Sequence, residues 1–328
     1  MKKIKQRQKK INVSFLILNY NGKNLLKIIL KSIKKIRFKG NFEVIVVDNN
    51  STDGSQDFLR KNYPYVKIVQ NKENLGTSGI NSGLPYCKGD YIFYLNNDIE
   101  LEKDSLKILY DIIENEPSVG LVAPKHINFY DRKIKSGGYW ISKSFYAGHC
   151  TAKESKKARE VPYAGVFLFR KEIADKLGYL FDPDYFIYSE DVDFCLRSRL
   201  IGFKVMFAPN SIIYHMHAAT VGKQENYKLT FFIERNMLST FLKILSLKSI
   251  LIFLPYITLM RVLAIIRDLF KFQLKNALAR VRAILWVIFH LGLIYKKRHK
   301  LQRMRKIKDK ELLKLFTEKY LFKPSVPV

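Results

Sequence analysis

The chain has 328 residues, 48% of them hydrophobic and 13% aromatic, which excludes a small peptide-like module and a wholly disordered chain. Lys and Arg number 58 against 29 Asp and Glu, a net charge of +29, which points to a polyanionic partner, either nucleic acid or an anionic membrane surface. Cys87, Cys150 and Cys195 are odd in number and form no CxxC pair, so a disulfide framework and a zinc knuckle are excluded and a reducing compartment is expected.

Residues 1–10 hold six basic and no acidic residues. They run into Ile11–Leu18, which contains Asn12 and Ser14 and no small-residue cleavage site, so a signal peptide is not expected. Residues 13–18 (VSFLIL) predict a buried strand ending at Asn19–Gly22. Over Asn24–Ile36, Leu25, Leu26, Ile29, Ile33 and Ile36 share a helical face. Phe42–Val47 predicts a second strand, ending in DNNSTDGS, and Ser55–Asn62 a short helix. Val66–Gln70 is a third strand, and Asn74–Tyr86, with three glycines, reads as a loop opening into a helix. Tyr91–Leu95 is a fourth strand followed at once by NND, then a helix over Lys103–Asn115 and a fifth strand over Val119–Ala123. Alternating strands and helices imply parallel βαβ units.

In such sheets ligands sit beyond the carboxyl ends of the strands. Asn19–Asn21, Asp48–Asp53, Asn71–Asn74 and Asn96–Asp98 all fall there, which indicates a polar, charged ligand. Neither GxGxxG nor GxxxxGK[ST] is present, so the dinucleotide and P-loop fingerprints are absent. Residues 126–170 carry Gly137-Gly138, Tyr139-Trp140, Gly148-His149 and the strand-like Gly165–Arg170. They read either as an acceptor-side pocket or as packing.

In DPDYFIYSEDVDFCLR, Ser189 is an expected N-cap and Val192, Leu196 and Leu200 have helical spacing. Glu190 and Asp191 then occupy the first helical turn, as a catalytic pair or as a start suited to the helix dipole. Gly202–Phe207 is another strand, and Ile212–Tyr214 leads to His215-Met216-His217.

VSFLILNYN, VVDNNSTDGS, NLGTSGINSG, YIFYLNND, YSEDVDFCLR and IIYHMH resemble, in order and rough spacing, inverting family-2 glycosyltransferases, with most likeness to their bacterial rhamnosyltransferase-like branch. The resemblance covers about residues 11–236. It implies an α/β fold of the GT-A type, a Rossmann-like, mostly parallel central sheet that binds a nucleotide sugar. Leu18 and Tyr20 match positions that hold the nucleoside base, and Asp48 and Asn49 match the acidic pair that contacts base and ribose, with Asn replacing the second acid. Asn96-Asn97-Asp98 sits at the DxD-type motif, with Asn replacing the first acid and Asp98 left as the clear metal carboxylate. Asp191 matches the general base. Asn74, Asn96 and Asn97 complete the expected donor-binding set, and Glu190 is expected to orient the acceptor or Asp191. Asp53 lies at a helix start within reach of capping it, and Asp193 is expected to be structural.

A diphosphate leaving group builds negative charge that Mg²⁺ or Mn²⁺ can neutralise. His215 is the expected additional ligand and would favour Mn²⁺, the alternative being that His215 and His217 are ordinary site-lining or surface histidines.

Residues 240–328 hold 20 basic and four acidic residues. Ser249–Met260 and Ala283–Tyr295 are uncharged but shorter than a bilayer span, no window reaches about 18 uncharged apolar residues, and Pro255 is expected to kink or break the first segment. A spanning helix is therefore not expected. The composition suits interfacial helices on anionic lipid, with a water-soluble helical appendage or a dimer interface as alternatives. The expected organisation is a basic N-terminal tail (1–10), a GT-A domain (11–239) and an amphipathic basic helical region (240–328). The expected enzyme moves a sugar from a nucleotide-sugar donor to a glycan or polyprenyl-diphosphate-linked acceptor, at the cytoplasmic face of the membrane. The other readings are a catalytically inactive protein on the same fold or a nucleic-acid binder. Against the binder, the tail's cations are interrupted by apolar blocks and no nucleic-acid-binding motif is present.

Overall fold

The computed structural model describes residues 10–136, 138–149, 157–216 and 226–317. Residues 1–9, Gly137, Cys150 and His217 lie outside the described residues, and with them nearly all of the expected N-terminal tail.

The first half runs β1 (Val13–Asn19), α1 (Lys23–Ile33), β2 (Phe42–Asp48), α2 (Ser55–Asn62), β3 (Lys67–Gln70), a 3-10 segment (Gly76–Tyr86), β4 (Tyr91–Asn96), β5 (Ile99–Leu101), α3 (Ser105–Asn115) and β6 (Val119–Asn128). Short strands follow: β7 (Ile134–Ser136), β8 (Tyr139–Ile141), β9 (Ala147–His149), β10 (Arg159–Glu160) and β11 (Phe167–Arg170). Then come α4 (Lys171–Leu177), α5 (Glu190–Leu200) and β12 (Lys204–His215). The chain closes on five helices: α6 (Asn226–Ile244), α7 (Leu247–Phe270), α8 (Leu274–Phe289), α9 (Leu291–Arg303) and α10 (Asp309–Leu313).

The main sheet has the order β10-β12-β6-β11-β4-β1-β2-β3. The β4-β1-β2-β3 half is parallel throughout, as is the β6–β12 pair. β11 joins the two parts antiparallel to both β4 and β6. The chain leaves β1 toward β2 on one side and returns as β4 on the other, so the topological switch lies between β1 and β4, where a ligand crevice forms.

Both faces of the sheet are covered, which explains strands that read as continuous apolar runs. Val13, Phe15 and Ile17 pack with Leu26 and Ile29 of α1 and Leu106 and Leu109 of α3. Leu16, Ile45 and Tyr94 face the other core, with Phe194 of α5 and Phe241 of α6.

Three expectations change. Asn74–Tyr86 becomes a tight 3-10 run, because Gly76 (φ +61°) and Gly79 let the backbone approach its neighbours: a Cβ on Gly79 would stand 2.2 Å from Asn49 Oδ1. The strand expected over Gly202–Phe207 runs on to His215 as β12, with a register shift between Ala208 and Ile212. Helix α7 continues through Pro255 for 24 residues. At 1.5 Å per residue that is about 36 Å, so by length and composition α7 could cross a membrane, contrary to the segment lengths read from the sequence. The count of uncharged residues had stopped at Arg261, whose charge is buried against the protein. Position 240 falls inside α6.

Candidate active site

The strand ends at the switch point are tied together by side chains. Asn19, closing β1, donates from Nδ2 to Asp48 Oδ2 at 2.9 Å, and its Oδ1 accepts from Asn97 Nδ2 at 2.8 Å. Asp48 is fully buried and accepts from the Ser51 amide (2.8 Å), the Ser51 hydroxyl (2.7 Å) and Gln56 Nε2 (2.9 Å). Asp53 accepts from the amides of Lys23 (2.8 Å) and Ser55 (3.0 Å), bridging the N-termini of α1 and α2.

Asn49 is also buried. Its Nδ2 donates to Asn74 Oδ1 (3.1 Å) and the Gly76 carbonyl (2.8 Å), while its Oδ1 accepts from Asn71 Nδ2 (2.7 Å). Asp48 and Asn49 thus brace the ends of β1, β2 and β3 at the carboxyl edge of the sheet. Leu18 is half-buried, and Tyr20 is 36% exposed at the mouth.

At the end of β4, Tyr94 donates its hydroxyl to Asn96 Oδ1 at 2.7 Å. Asp98 lies in the short connection to β5, and pairing of β5 with β12 sets Ile99 opposite His215. His215 Nε2 consequently lies 3.1 Å from Asp98 Oδ1, and the Met216 amide donates to the Asp98 carbonyl at 2.9 Å. The His215 ring meets His126 edge-on at 5.8 Å, and His126 Nε2 lies 3.1 Å from the Tyr139 hydroxyl. No group of three or more His, Cys, Asp or Glu able to hold a metal occurs among the described residues. The Asp98–His215 pair supplies one oxygen and one nitrogen donor, which fits a divalent cation that takes its remaining ligands from phosphate and water.

The second half of the site is the start of α5. Tyr188 (φ 67°) and Ser189 (φ 62°) are both left-handed, and the Ser189 side chain makes no capping bond, contrary to its expected role. The turn is gripped from outside instead. Asn236 of α6 donates to the carbonyls of Ile187 (3.1 Å) and Tyr188 (2.6 Å), and the Thr77 amide donates to the Phe186 carbonyl at 2.7 Å. Glu190 is buried, and its Oε2 has no hydrogen-bond partner in the described structure. Burial, helped by the charge of Asp191, pushes its carboxyl up to about 8. Asp191 is partly exposed, with Oδ1 accepting from the Val192 amide at 2.7 Å. Its Oδ2 faces Gly165, where a Cβ would stand 3.3 Å away.

The two halves meet at Tyr94. Burial raises this phenol well above its usual range, and the charges of Glu190, Asp191 and Asp98 raise it further. Acidic groups at the end of β4 and at the start of α5 are thus both close enough to act on this phenol electrostatically. Cys87 is pushed up to about 12 by burial and Cys195 higher, so neither is a thiolate nucleophile.

Asp193 is buried in an ion cluster, with Arg197 Nε at 2.6 Å and Lys243 Nζ at 2.7 Å. Lys243 also meets Asp182 (2.5 Å), which pairs with Lys297 of α9. Helices α6 and α9 are in this way bound to the loop that leads into Glu190 and Asp191. Tyr94, Thr77 and Asn236 were not singled out in the sequence. Tyr94 reads as core, and Asn236, which follows Glu234-Arg235 in α6, gave no distinct signal.

A family profile described as Glycosyl transferase family 2 matches residues 14–178. An abequosyltransferase of Salmonella typhimurium is 33% identical over 115 residues, covering 33% of this chain and 34% of that protein. The chain spans 25%, 34% and 62% of the length of the first three curated relatives it matches. Among solved structures, GalNAc-T7 with UDP, GalNAc and Mn²⁺ superposes with a TM-score of 0.59 at 19% identity, over 70% of this chain and 47% of that one. TarS of S. aureus in complex with UDP-GlcNAc superposes with a TM-score of 0.53 at 18% identity, over 71% and 67%. These are glycosyltransferases of GT-A fold, and the architecture described above is theirs.

Proposed function

The chain belongs to glycosyl transferase family 2, and from that premise we propose that it is an inverting glycosyltransferase that moves a sugar from a nucleotide-diphosphate sugar to a hydroxyl of a glycan or polyprenyl-diphosphate-linked acceptor. The observation that carries this reading is the Asp98–His215 pair, 3.1 Å apart just beyond the end of β4 at the switch point of the sheet.

Leu18 and Tyr20 stack on or flank the nucleoside base. Asn49, Asn74, Asn96 and Asn97 set the shape and polarity of the donor crevice. Asp98 and His215 would hold Mg²⁺ or Mn²⁺, which when bound neutralises the charge that builds on the departing diphosphate. Asp191 takes the proton of the acceptor hydroxyl as its oxygen bonds to the anomeric carbon and the sugar–diphosphate bond breaks, with inversion. Glu190 stays protonated at neutral pH, so the acceptor oxygen meets one negative charge at the helix start and one hydrogen-bond donor beside it.

The donor proposed first is dTDP-rhamnose, and the product a cell-surface polysaccharide or lipid-linked oligosaccharide. The basic C-terminal helices would keep the enzyme peripherally bound at the cytoplasmic face of the membrane. A screen of nucleotide sugars for metal-dependent binding and hydrolysis tests the reading: hydrolysis of one of them supports it, and failure to bind any overturns it.

A further inference from the structure

The C-terminal helices carry 20 of the 26 large hydrophobic side chains that are exposed among the described residues, all between Leu247 and Tyr295. They are sorted by face. Along α7 the buried stripe is Ile250, Ile257, Met260, Arg261, Ala264 and Asp268, at helical spacing. The opposite side exposes Leu251, Leu259, Leu263 and Ile266, and the one charge between Lys248 and Lys271 that reaches the surface in part, Arg267, pairs with Asp268 at 2.7 Å. Such an arrangement inverts the surface of a water-soluble helix, which turns its charges out.

The inward charges are all paired. Arg261 Nε meets Glu234 Oε2 of α6 at 3.1 Å, and its guanidinium donates to the carbonyls of Ser144 and Phe145. Arg280 of α8 bonds to Glu234 and, at 2.8 Å, to Asp268. Phe145 packs on Phe241 of α6 at 5.1 Å. The middle of α7 is thus fastened to the α/β body.

We infer that α7 and α8 form a docking plate that lies half-sunk in the head-group boundary of an anionic bilayer, parallel to its surface, without crossing it. The inference rests on the membrane-bound reading above and deepens it. The buried stripe reaches from Ile250 to Asp268, about 27 Å of helix. If α7 crossed a bilayer, Ser144 and Phe145 at its middle would be carried to mid-membrane with it. Lying in plane, the helix keeps its polar stripe on the protein and its apolar stripe in lipid.

Charge selects lipid over a second copy of the chain. Between residues 247 and 308 the only acidic residue is Asp268, and it is buried. The exposed charged groups of this stretch are cations, among them Lys248, Lys271, Lys275, Arg282, Lys296 and Lys300. A two-fold contact of this face with itself would set those cations against each other, whereas phosphatidylglycerol supplies the opposite charge.

The test uses the full chain with Cys150→Ser and one environment-sensitive fluorophore, attached through Leu251→Cys, Leu259→Cys or Ile266→Cys in turn, with phosphatidylglycerol-containing or purely zwitterionic vesicles. In-plane docking predicts a blue shift with anionic vesicles and similar, shallow quenching by brominated lipids at all three positions. Deepest quenching at residue 259, with 251 and 266 shallower, means a crossing helix and overturns the inference. So does a fluorophore already masked in a dimer without vesicles, or the absence of any vesicle response.

Two further variants guard against misfolding. Lys271→Gln with Lys275→Gln should weaken partition to anionic vesicles several-fold. Leu259→Asp with Ile266→Asp should weaken it about tenfold or more, with an unchanged circular dichroism spectrum. Nucleotide-sugar hydrolysis is read on the same samples. Docking without hydrolysis of any donor leaves the plate standing and counts against the proposed enzyme, and hydrolysis without docking does the reverse.

Discussion

Asn236 Nδ2 donates to the Tyr188 carbonyl at 2.6 Å, so a helix of the C-terminal bundle holds the left-handed turn that aims Glu190 and Asp191. Two successive non-glycine residues at positive φ cost on the order of 1–2 kcal/mol each, and such a turn persists only where its surroundings impose it.

Asn236→Ala removes both bonds to the turn. The expected result is a kcat lower by roughly tenfold to a hundredfold, the penalty of displacing a reacting group by about 1 Å, with donor KM nearly unchanged. Asn236→Asp should not rescue, because it offers no N–H. Steady-state kinetics beside a thermal melt check this, and a loss that appears in KM alone would contradict it.

Glu190 is held protonated up to about pH 8, first by burial and then by the charge on Asp191. Raising the pH through that value places a second negative charge beside Asp191. The activity of the native chain should change near pH 8, and Glu190→Gln should remove that limb of the pH–rate profile while leaving the acid limb. A limb that survives in Glu190→Gln belongs to another group.

Asp98 and His215 lie 3.1 Å apart at the ends of two differently directed chain segments. Asp98→Ala should raise the Mn²⁺ concentration needed for half-maximal donor binding by about tenfold or more, since even outer-shell partners of a metal are worth about 10–100-fold. His215→Ala should shift the preference from Mn²⁺ toward Mg²⁺. Donor binding titrated against each metal decides; an unchanged metal requirement in Asp98→Ala would remove it as a ligand.

Burial opposes a charge on Asp182, but the ammonium groups of Lys243 and Lys297 outweigh it and hold the carboxyl well below its usual range. A depressed folded-state pKa contributes stability that is present above the unfolded value, about 3.9, and lost as pH falls below it. Denaturant midpoints should therefore drop steeply below about pH 4. Lys243→Met removes the buried cation that Asp182 and Asp193 share, leaving Lys297 and Arg197 as their remaining partners, and should cost up to about 3–5 kcal/mol, measured by the same denaturation.

The strand ends that frame the candidate site were legible because apolar strands end abruptly in Asn and Asp, as at Leu18–Asn19, Val47–Asp48 and Leu95–Asn96. The helix start at Glu190 was legible from its spacing, but not the left-handed turn before it: backbone sign is set by contacts with Thr77 and Asn236, which lie far away in sequence. Strand β12 read as ending at Phe207 because its irregularity falls at Ala208–Ile212. Helix α7 read as too short because Arg261 counts as a break in a string of letters, whereas in space it is turned inward onto Glu234. In each case the missing information was a long-range pairing.

The proposed reaction depends above all on Asp191 acting as the base of a nucleotide-sugar transfer at the β1–β4 switch point. It is tested most directly by offering dTDP-rhamnose, UDP-GlcNAc, UDP-galactose and GDP-mannose with Mn²⁺ or Mg²⁺ to the native chain and to Asp191→Asn, following both binding and turnover. One donor should bind both proteins with similar affinity and be turned over by the native chain alone. Turnover retained in Asp191→Asn, or no donor bound by either protein, would contradict it.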